Sequence, residues 1–285
     1  MSDYPNARLL MNPAELHAKL DRRGNLQVID ARPAEQFAGG RIPGAIYLDL
    51  WALSINDTDP APMRAFFWTV SHYLTAHGID PKRPVVAYEA NEVGSRAARI
   101  FWFLEYFGHP DARVLDGGFK AWTAAGLPIE TGAARTLDKG TWPDDNSTPR
   151  NEAILAGWRE VFAGAGAPAP RHDLAILDTR TDGEYRGTTV RAKRGGAIPN
   201  AIHIEWKDNL GPDGKFKSAD ELRRMYESKG ITPDREVISY CQGGYRAAHS
   251  YLALRLLGYP RVRNYVSSYG EWGDREELPV EIPKS

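Results

Sequence analysis

The sequence contains a single cysteine, Cys241, within the stretch ISYCQGGYRAAHS at residues 238–250. An uncharged run typical of a strand precedes it, and a glycine-containing loop leads to a helical pattern that begins near Arg246. Backbone N–H groups of this loop could converge on the sulfur, and the helix N-terminus would add partial positive charge. Arg246 would add a fixed cation suited to an oxyanion. These features should lower the thiol pKa, which indicates a nucleophile rather than a small buried hydrophobe. The loop residues concerned are Gln242, Gly243, Gly244 and Tyr245.

Three residues outside the loop are weaker candidates for the same site. Asp178 and Arg180 follow a predicted strand that should lie near the loop strand. Asp178 could therefore support the loop and Arg180 could face a substrate anion, with a structural ion pair between the two as an equal alternative. Trp206 could form a wall of the pocket, although packing in the core explains it equally well.

Histidines offer neither a clear base nor a metal site. His249 lies three residues into the helix predicted to begin near Arg246, so it should point away from the sulfur, and His203 is the other candidate partner of the thiol. No histidine spacing matches a metal site, and one cysteine cannot build a cysteine-rich zinc site. We therefore expect no metal. The short basic run RAKR at 191–194 could raise the local potential, but such runs are usually solvated.

The two halves of the chain repeat each other. Residues 78–89 (GIDPKRPVVAYE) match residues 230–241 (GITPDREVISYC) at an offset of 152. Residues 96–110 match residues 246–260 at an offset of 150. So long a period indicates two homologous domains rather than a solenoid.

The repeat also predicts which copy is active. Glu89 occupies the position of Cys241 in the first copy, and six residues rather than four separate it from the arginine that follows, Arg96. A negative charge there would repel an anionic donor. We therefore predict a non-catalytic domain at 1–130, a linker at 131–150 that is rich in Gly, Thr, Asp and Pro, and a catalytic domain at 151–285.

Strands and helices alternate within each copy. The runs LQVID, LAILD, RPVVAYE and EVISYC read as buried strands, and the helical stretches after the last two end at Gly108 and Gly258. Asn12 precedes Pro13 and Glu15 in the pattern of a helix N-terminus. The predicted fold is α/β, with two tandem domains, each a mainly parallel sheet covered by helices on both faces. Ligands of such sheets bind beyond the carboxyl ends of the strands, where Cys241 falls.

Composition narrows the class of protein. A formal net charge of −1 over 285 residues gives no field to recruit nucleic acid or an anionic membrane. No apolar run has the length of a membrane span, and the first twenty residues lack the pattern of a signal peptide. A single cysteine cannot form an internal disulfide. We expect a cytoplasmic protein.

These residues resemble the rhodanese superfamily, specifically the tandem-domain thiosulfate sulfurtransferases. The resemblance covers nearly the whole chain and rests on IDARPAEQFAGGRIPGAI, DGGFKAW with GLPIE, LDTRTDGEYRG, and the loop from Cys241 to Arg246. It implies two rhodanese domains of which the second is catalytic, a Cys241 persulfide intermediate, and no metal or organic cofactor. By position, Cys241 resembles the nucleophile, 242–246 the anion-cradling loop, and Arg246 the cation for the substrate anion. It also implies ping-pong transfer of sulfur from thiosulfate to cyanide or a thiol.

The chain departs from the family pattern at three places. Animal members carry a substrate-contacting arginine where this chain has Glu184. Ala197 replaces the usual histidine of a His-Ile-Pro-Gly-Ala motif, and the stretch at 266–269 (VSSY) replaces Asp-Gly-Ser-Trp. We therefore expect other cations to rebuild the anion site.

Three alternatives remain open. A 3-mercaptopyruvate sulfurtransferase shares the fold and the persulfide, but resembles a Cys-Gly-Ser-Gly loop without the terminal arginine. Cys-loop phosphatases and arsenate reductases have one residue more between cysteine and arginine, which makes room for a tetrahedral oxyanion. A non-catalytic sulfur carrier would need a sulfur-accepting protein as its partner. We expect a monomer with small-molecule substrates.

Overall fold

Two five-stranded parallel sheets of identical strand order organise the chain. The computed structural model describes residues 4–20, 25–90, 94–134, 140, 142, 150–166 and 171–283. The sheet orders are β1-β5-β4-β2-β3 and β6-β10-β9-β7-β8, which confirms the predicted tandem α/β fold. The strands of the first sheet are β1 Leu10–Met11, β2 Gln27–Asp30, β3 Ile46–Tyr47, β4 Val85–Tyr88 and β5 Ala112–Leu115. Those of the second are β6 Leu155–Ala156, β7 Leu174–Asp178, β8 Ile202–His203, β9 Glu236–Tyr240 and β10 Val262–Tyr265.

Helices connect these strands at equivalent places in the two copies. The predicted N-cap is confirmed, because the N–H of Glu15 donates to Asn12 Oδ1 at 2.9 Å. In the first copy the helices are α1 Pro13–Leu20, α2 Ala34–Gly39, α3 Pro60–Ala76, α4 Ser95–Tyr106 and α5 Gly118–Ala124. In the second they are α6 Trp158–Val161, α7 Asp182–Tyr185, α8 Ala219–Ser228, α9 Tyr245–Leu256 and α10 Ser268–Asp274.

Both faces of each sheet are buried. Alternate residues of β9 enter different apolar clusters: Val237 lies in one, and Ile238 and Tyr240 lie in another. Because successive strand side chains point to opposite faces, this division shows that core covers each face. The largest cluster is shared by both copies and includes side chains of α4 and α9, such as Trp102 and Leu252.

A first-domain segment at residues 50–58 joins the domains at the carboxyl edge of the second sheet. The Tyr245 hydroxyl donates to the carbonyls of Leu50 and, at 3.0 Å, Leu53. Ser267 Oγ donates to the Ile55 carbonyl at 2.7 Å. The first domain therefore lies directly against the loop that contains the cysteine.

The predicted linker lies largely outside the described residues, which omit 135–139, 141 and 143–149. Its described part contacts the first domain: Trp142 is buried and stacks on His109 with ring centroids 5.8 Å apart. The domain limits at 1–130, 131–150 and 151–285 remain predictions.

Glu271 of α10 should be a main stabiliser of the domain contact. Its carboxylate accepts from the Thr58 N–H and hydroxyl, both at 2.8 Å, and also contacts Tyr265 and Arg275. Glu271→Ala leaves the buried Tyr265 hydroxyl and the partly buried donors of Thr58 and Arg275 without this acceptor, so we expect the free energy of unfolding in urea to fall by about 3 kcal/mol. Glu277→Ala removes an exposed carboxylate from the same arginine and should change it by less than about 0.5 kcal/mol. Equal urea midpoints for the two variants would contradict this assignment.

Candidate active site

Cys241 lies where the sequence predicts it, immediately after β9 and before α9. The loop of residues 242–244 turns the chain within the space of three residues, and Gly244 caps the helix with a φ of 84°. That φ lies in the left-handed region, where glycine is favoured. The cysteine side chain is buried, with 1 % exposure.

Three backbone N–H groups stabilise the sulfur of Cys241. The Gly244 N–H donates to Sγ at 3.1 Å, and the N–H groups of Gly243 and Ala247 also favour the negative sulfur. Gly243 and Gly244 are among the loop residues predicted from the sequence, whereas Ala247, in the first turn of α9, was not among them. The side chains of Gln242 and Tyr245 form hydrogen bonds away from the sulfur. Gln242 Nε2 donates to the Arg191 carbonyl at 2.9 Å, and the Tyr245 hydroxyl donates to a carbonyl of the first domain.

Ser268 adds a contact that sequence reasoning missed. Its hydroxyl accepts from the Cys241 N–H at 3.0 Å and lies 4.0 Å from Sγ. The residue has a φ of 61°, a left-handed conformation that is uncommon for serine. It falls in the stretch at 266–269 where the chain departs from the family pattern, and that departure was the available signal.

The electrostatic balance at the sulfur favours the thiolate. Burial raises the pKa of the Cys241 thiol, but the positive charge of Arg246 and the three N–H groups lower it by more. The net result is a thiol pKa below the ordinary value, as the loop sequence predicts.

Arg246 is held by Glu184 rather than left free. The two form a bidentate ion pair with N–O distances of 2.6 and 2.9 Å, and the Glu184 side chain is only 3 % exposed. Glu184 is the third residue of the α7 capping box, where Thr181 donates to it through its N–H and its hydroxyl. Although burial raises its pKa, the hydrogen bonds and charge of Arg246 bring the pKa of Glu184 down to about 2. The carboxylate therefore stays ionised and orients Arg246.

Arg191 is a second cation beside Glu184. Its guanidinium lies 3.4 Å from Glu184 Oε1, the oxygen that also accepts from Arg246 Nη2, and its side chain is 55 % exposed. Arg191 and Arg246 both face a cavity of about 220 Å³ beside the sulfur. The cavity is lined by Trp51, Ser54, Arg191, Cys241, Gln242, Gly243, Tyr245 and Arg246.

The structure does not bring Arg180 to the cavity; it places Arg180 in the ion pair with Asp178 that the sequence left as an alternative. Arg180 is 2 % exposed, and it binds Asp178 through two nitrogens at 3.0 and 2.6 Å and the Gly196 carbonyl at 2.7 Å. The first domain repeats this arrangement with Arg32 on Asp30. Because a domain without the cysteine keeps the same pair, the pair belongs to the fold.

Asp178 does contact the strand that carries the cysteine. Its carboxylate accepts from the Tyr240 hydroxyl at 2.5 Å, and Tyr240 directly precedes Cys241. This geometry is compatible with the predicted support of the loop, which remains a prediction.

The structure does not bring Trp206 to the cavity and shows the core packing that the sequence left as an alternative. The side chain is 8 % exposed and packs edge-on against His249, with ring centroids 4.9 Å apart. The aromatic wall is instead Trp51 of the first domain, which is 52 % exposed and lies 4.9 Å from the Tyr245 ring. No motif spacing in the second domain could have indicated a residue supplied across a domain contact.

The corresponding loop of the first domain contains the Glu89 carboxylate. Its Oε2 accepts the Arg96 N–H at 2.8 Å, and a Cβ placed on Gly94 would come within 1.9 Å of that oxygen. Residues 91–93 of this loop lie outside the described residues. A carboxylate inside the loop agrees with the prediction that this copy is non-catalytic.

Among the described residues, no group of three or more His, Cys, Asp or Glu side chains is placed to bind a metal ion. Within the same part of the chain, no helix has the length and apolar character needed to cross a bilayer.

Comparison with known proteins tests the resemblance found in the sequence. A family model described as Rhodanese-like domain matches residues 12–125 and again residues 166–275. The chain belongs to the rhodanese family. The duplicated domain and the predicted family are both confirmed.

Curated relatives of this rhodanese chain match it over most or all of its length. The Thiosulfate sulfurtransferase of Azotobacter vinelandii is 32 % identical over 290 residues, covering 99 % of this chain and 100 % of the relative. The Sulfur carrier protein TtuD of Thermus thermophilus is 34 % identical over 254 residues, covering 85 % of each chain. The solved wild-type structure of EanB superposes with a TM-score of 0.83 at 22 % identity, covering all of this chain and 72 % of EanB, which shows the fold alone.

Removing the charge of Arg246 should raise the thiol pKa of Cys241. In Arg246→Gln the sulfur loses its nearest cation while Glu184 remains, so we expect the pH midpoint of alkylation by iodoacetamide to rise by about one unit or more. The control is Arg186→Gln, which removes an exposed arginine paired with Asp182 at the end of α7. An Arg246→Gln midpoint equal to that of the wild type would show that Arg246 does not lower the thiol pKa of Cys241.

Proposed function

We propose that this rhodanese transfers the sulfane sulfur of thiosulfate to a cyanide or thiol acceptor through a persulfide on Cys241. The supporting observation is the buried Cys241 sulfur at the edge of a cationic cavity, where three N–H groups and Arg246 lower its thiol pKa. The full-length likeness to thiosulfate sulfurtransferases favours this reaction over other thiol chemistry.

The reaction needs only this nucleophile and two substrates. The Cys241 thiolate attacks the outer sulfur of thiosulfate, a bond from Sγ to that sulfur forms, and the sulfur–sulfur bond of thiosulfate breaks. Sulfite leaves with the bonding electron pair, and the cysteine becomes a persulfide anion. The acceptor then attacks the outer sulfur, and Cys241 returns as the thiolate, so no external oxidant or reductant is consumed. Each half-reaction releases one product before the next substrate reacts, which gives ping-pong kinetics.

The loop would stabilise charge throughout both half-reactions. The N–H groups of Gly243, Gly244 and Ala247 hold negative charge on sulfur before and after transfer, in the manner of an oxyanion hole. Arg246 and Arg191 face the cavity and would bind the sulfonate end of the donor. Gln242 and Tyr245 form the adjoining walls of the same cavity.

The acceptor in the cell would be a thiol, and a protein thiol is the form we propose. The relative TtuD is named a sulfur carrier protein, which supports sulfur delivery to another protein. Cyanide serves as the assay acceptor because the product, thiocyanate, is readily detected.

Loss of the nucleophile should abolish the activity. The purified protein should form thiocyanate from thiosulfate and cyanide, and Cys241→Ala should form none. Intact-mass measurement after thiosulfate treatment should show a gain of one sulfur atom in the wild type and no gain in Cys241→Ala. A parallel sample with 3-mercaptopyruvate distinguishes the alternative donor. If neither donor adds sulfur, the assignment as a sulfurtransferase is wrong.

Neutralising Glu184 should tighten donor binding. Glu184 offsets the charge of Arg246 and Arg191, so Glu184→Gln leaves more positive potential for a dianion, and we expect KM for thiosulfate to fall by about threefold or more. The matched control is Asp182→Asn, an exposed acidic residue of the same helix α7. A KM that stays constant or rises in Glu184→Gln would show that its orientation of Arg246 outweighs its charge.

A further inference from the structure

Arg99 is a fully buried cation that the first domain places against the catalytic loop of the second. It lies in α4, and its guanidinium Nη1 donates to the Gly244 carbonyl at 3.1 Å. Its exposure is 0 %, and among the described residues its Nε and Nη2 have no hydrogen-bond partner. Aromatic rings surround the guanidinium, with centroid distances of 4.5 Å to Phe103, 5.2 Å to Tyr245 and 5.3 Å to Trp102.

No carboxylate in the described part of the chain forms an ion pair with Arg99. The acidic side chains of the surrounding elements are bound by other arginines: Asp49 pairs with Arg96, Glu105 with Arg255, and Glu184 with Arg246 and Arg191. His249 of α9 packs against Trp206 and Phe216, and the Tyr251 hydroxyl of the same helix donates to Glu105. Burying an unpaired charge is unfavourable unless some anion offsets it.

The Cys241 thiolate is the anion available to Arg99. Burial lowers the pKa of Arg99 to about 10, and the negative charges of ionised Tyr245 and of the Cys241 thiolate act to raise it. Arg99 therefore stays protonated at neutral pH, where Tyr245, whose own pKa is raised by burial, is uncharged. Since charge interactions are reciprocal, Arg99 should favour the thiolate as well, by less than Arg246, which has the largest lowering effect on the thiol pKa.

Gly244 links the two groups directly. Its N–H donates to Cys241 Sγ at 3.1 Å, while its carbonyl accepts from Arg99, from Asn264 Nδ2 and from the Ala248 N–H, each at 3.1 Å. A Cβ on Gly244 would lie 2.5 Å from Arg99 Nη1 and 3.0 Å from its Cζ. The glycine is therefore required for the approach of the guanidinium as well as for the left-handed φ.

We propose that Arg99 is a positioning residue supplied by the first domain, whose buried charge fixes Gly244 and stabilises the negative sulfur of Cys241. Stabilisation of the thiolate stands on its own, whereas stabilisation of the persulfide rests on the proposed function. The duplicated domain thus contributes electrostatics to the site as well as the Trp51 wall.

The test is Arg99→Met, which keeps an apolar side chain of similar length and removes the charge. We expect the pH midpoint of Cys241 alkylation to rise and the alkylation rate at neutral pH to fall at least about threefold. Because Arg99 has no carboxylate partner, its removal leaves no buried carboxylate unpaired, and the urea midpoint should stay the same or rise. Arg99→Lys keeps the charge and should restore part of the alkylation rate. That variant also answers the question if Arg99→Met does not fold.

The control is Arg41→Met. Arg41 is also buried in the first domain, at 1 % exposure, but is paired with Glu130. This variant should lower the urea midpoint and leave the alkylation midpoint unchanged. The same pattern in Arg99→Met, lower stability with an unchanged thiol pKa, would overturn the proposal. Alkylation requires no sulfur donor, so this result is independent of whether the protein transfers sulfur from thiosulfate.

Discussion

A buried sulfur at the start of a helix, with a thiol pKa below the ordinary value, is the constraint on which the site depends. Burial alone would keep Cys241 protonated, so the surrounding structure must supply positive charge and N–H groups at close range. The β9 strand delivers the cysteine to the sheet edge, and Gly244 turns the backbone so that its N–H reaches the sulfur. Arg246 provides the cation, and Glu184 fixes its orientation from inside the α7 capping box.

The two copies of the domain share their framework and differ at the loop that contains the cysteine in the second copy. Both keep the same strand order and the same buried Asp–Arg pair, Asp30 with Arg32 and Asp178 with Arg180. They differ at the loop, where the first copy has the Glu89 carboxylate, which accepts the Arg96 N–H. The first domain lacks a cysteine of its own. It contacts the cysteine loop of the second domain through the segment at 50–58 and through α4.

Features encoded by local sequence were predictable. The strands, the Asn12 cap and the loop after Cys241 depend on neighbouring residues, so periodicity and turn chemistry revealed them. The structural reading of Arg180 was also accessible, because the motif D-x-R occurs in both copies and only one copy has the cysteine. The T-D-G-E run before Tyr185 likewise carried a capping-box signal for Glu184.

Contacts between domains could not be predicted in this way. Trp51 and Arg99 reach the site from positions more than a hundred residues away in sequence, and no spacing rule connects them to Cys241. The sequence left Trp206 between a pocket wall and the core, and its packing against His249 places it in the core.

A titration of the Cys241 thiol tests most directly whether its pKa lies below the ordinary value. Ultraviolet difference absorbance between the wild type and Cys241→Ser, followed as the pH is raised, reports the ionisation of this one sulfur. We predict a titration midpoint for Cys241 below that of an ordinary cysteine, because Arg246 and the loop N–H groups lower the thiol pKa by more than burial raises it. A midpoint at or above the ordinary value would contradict it, since burial would then dominate and Cys241 would be a protonated core residue.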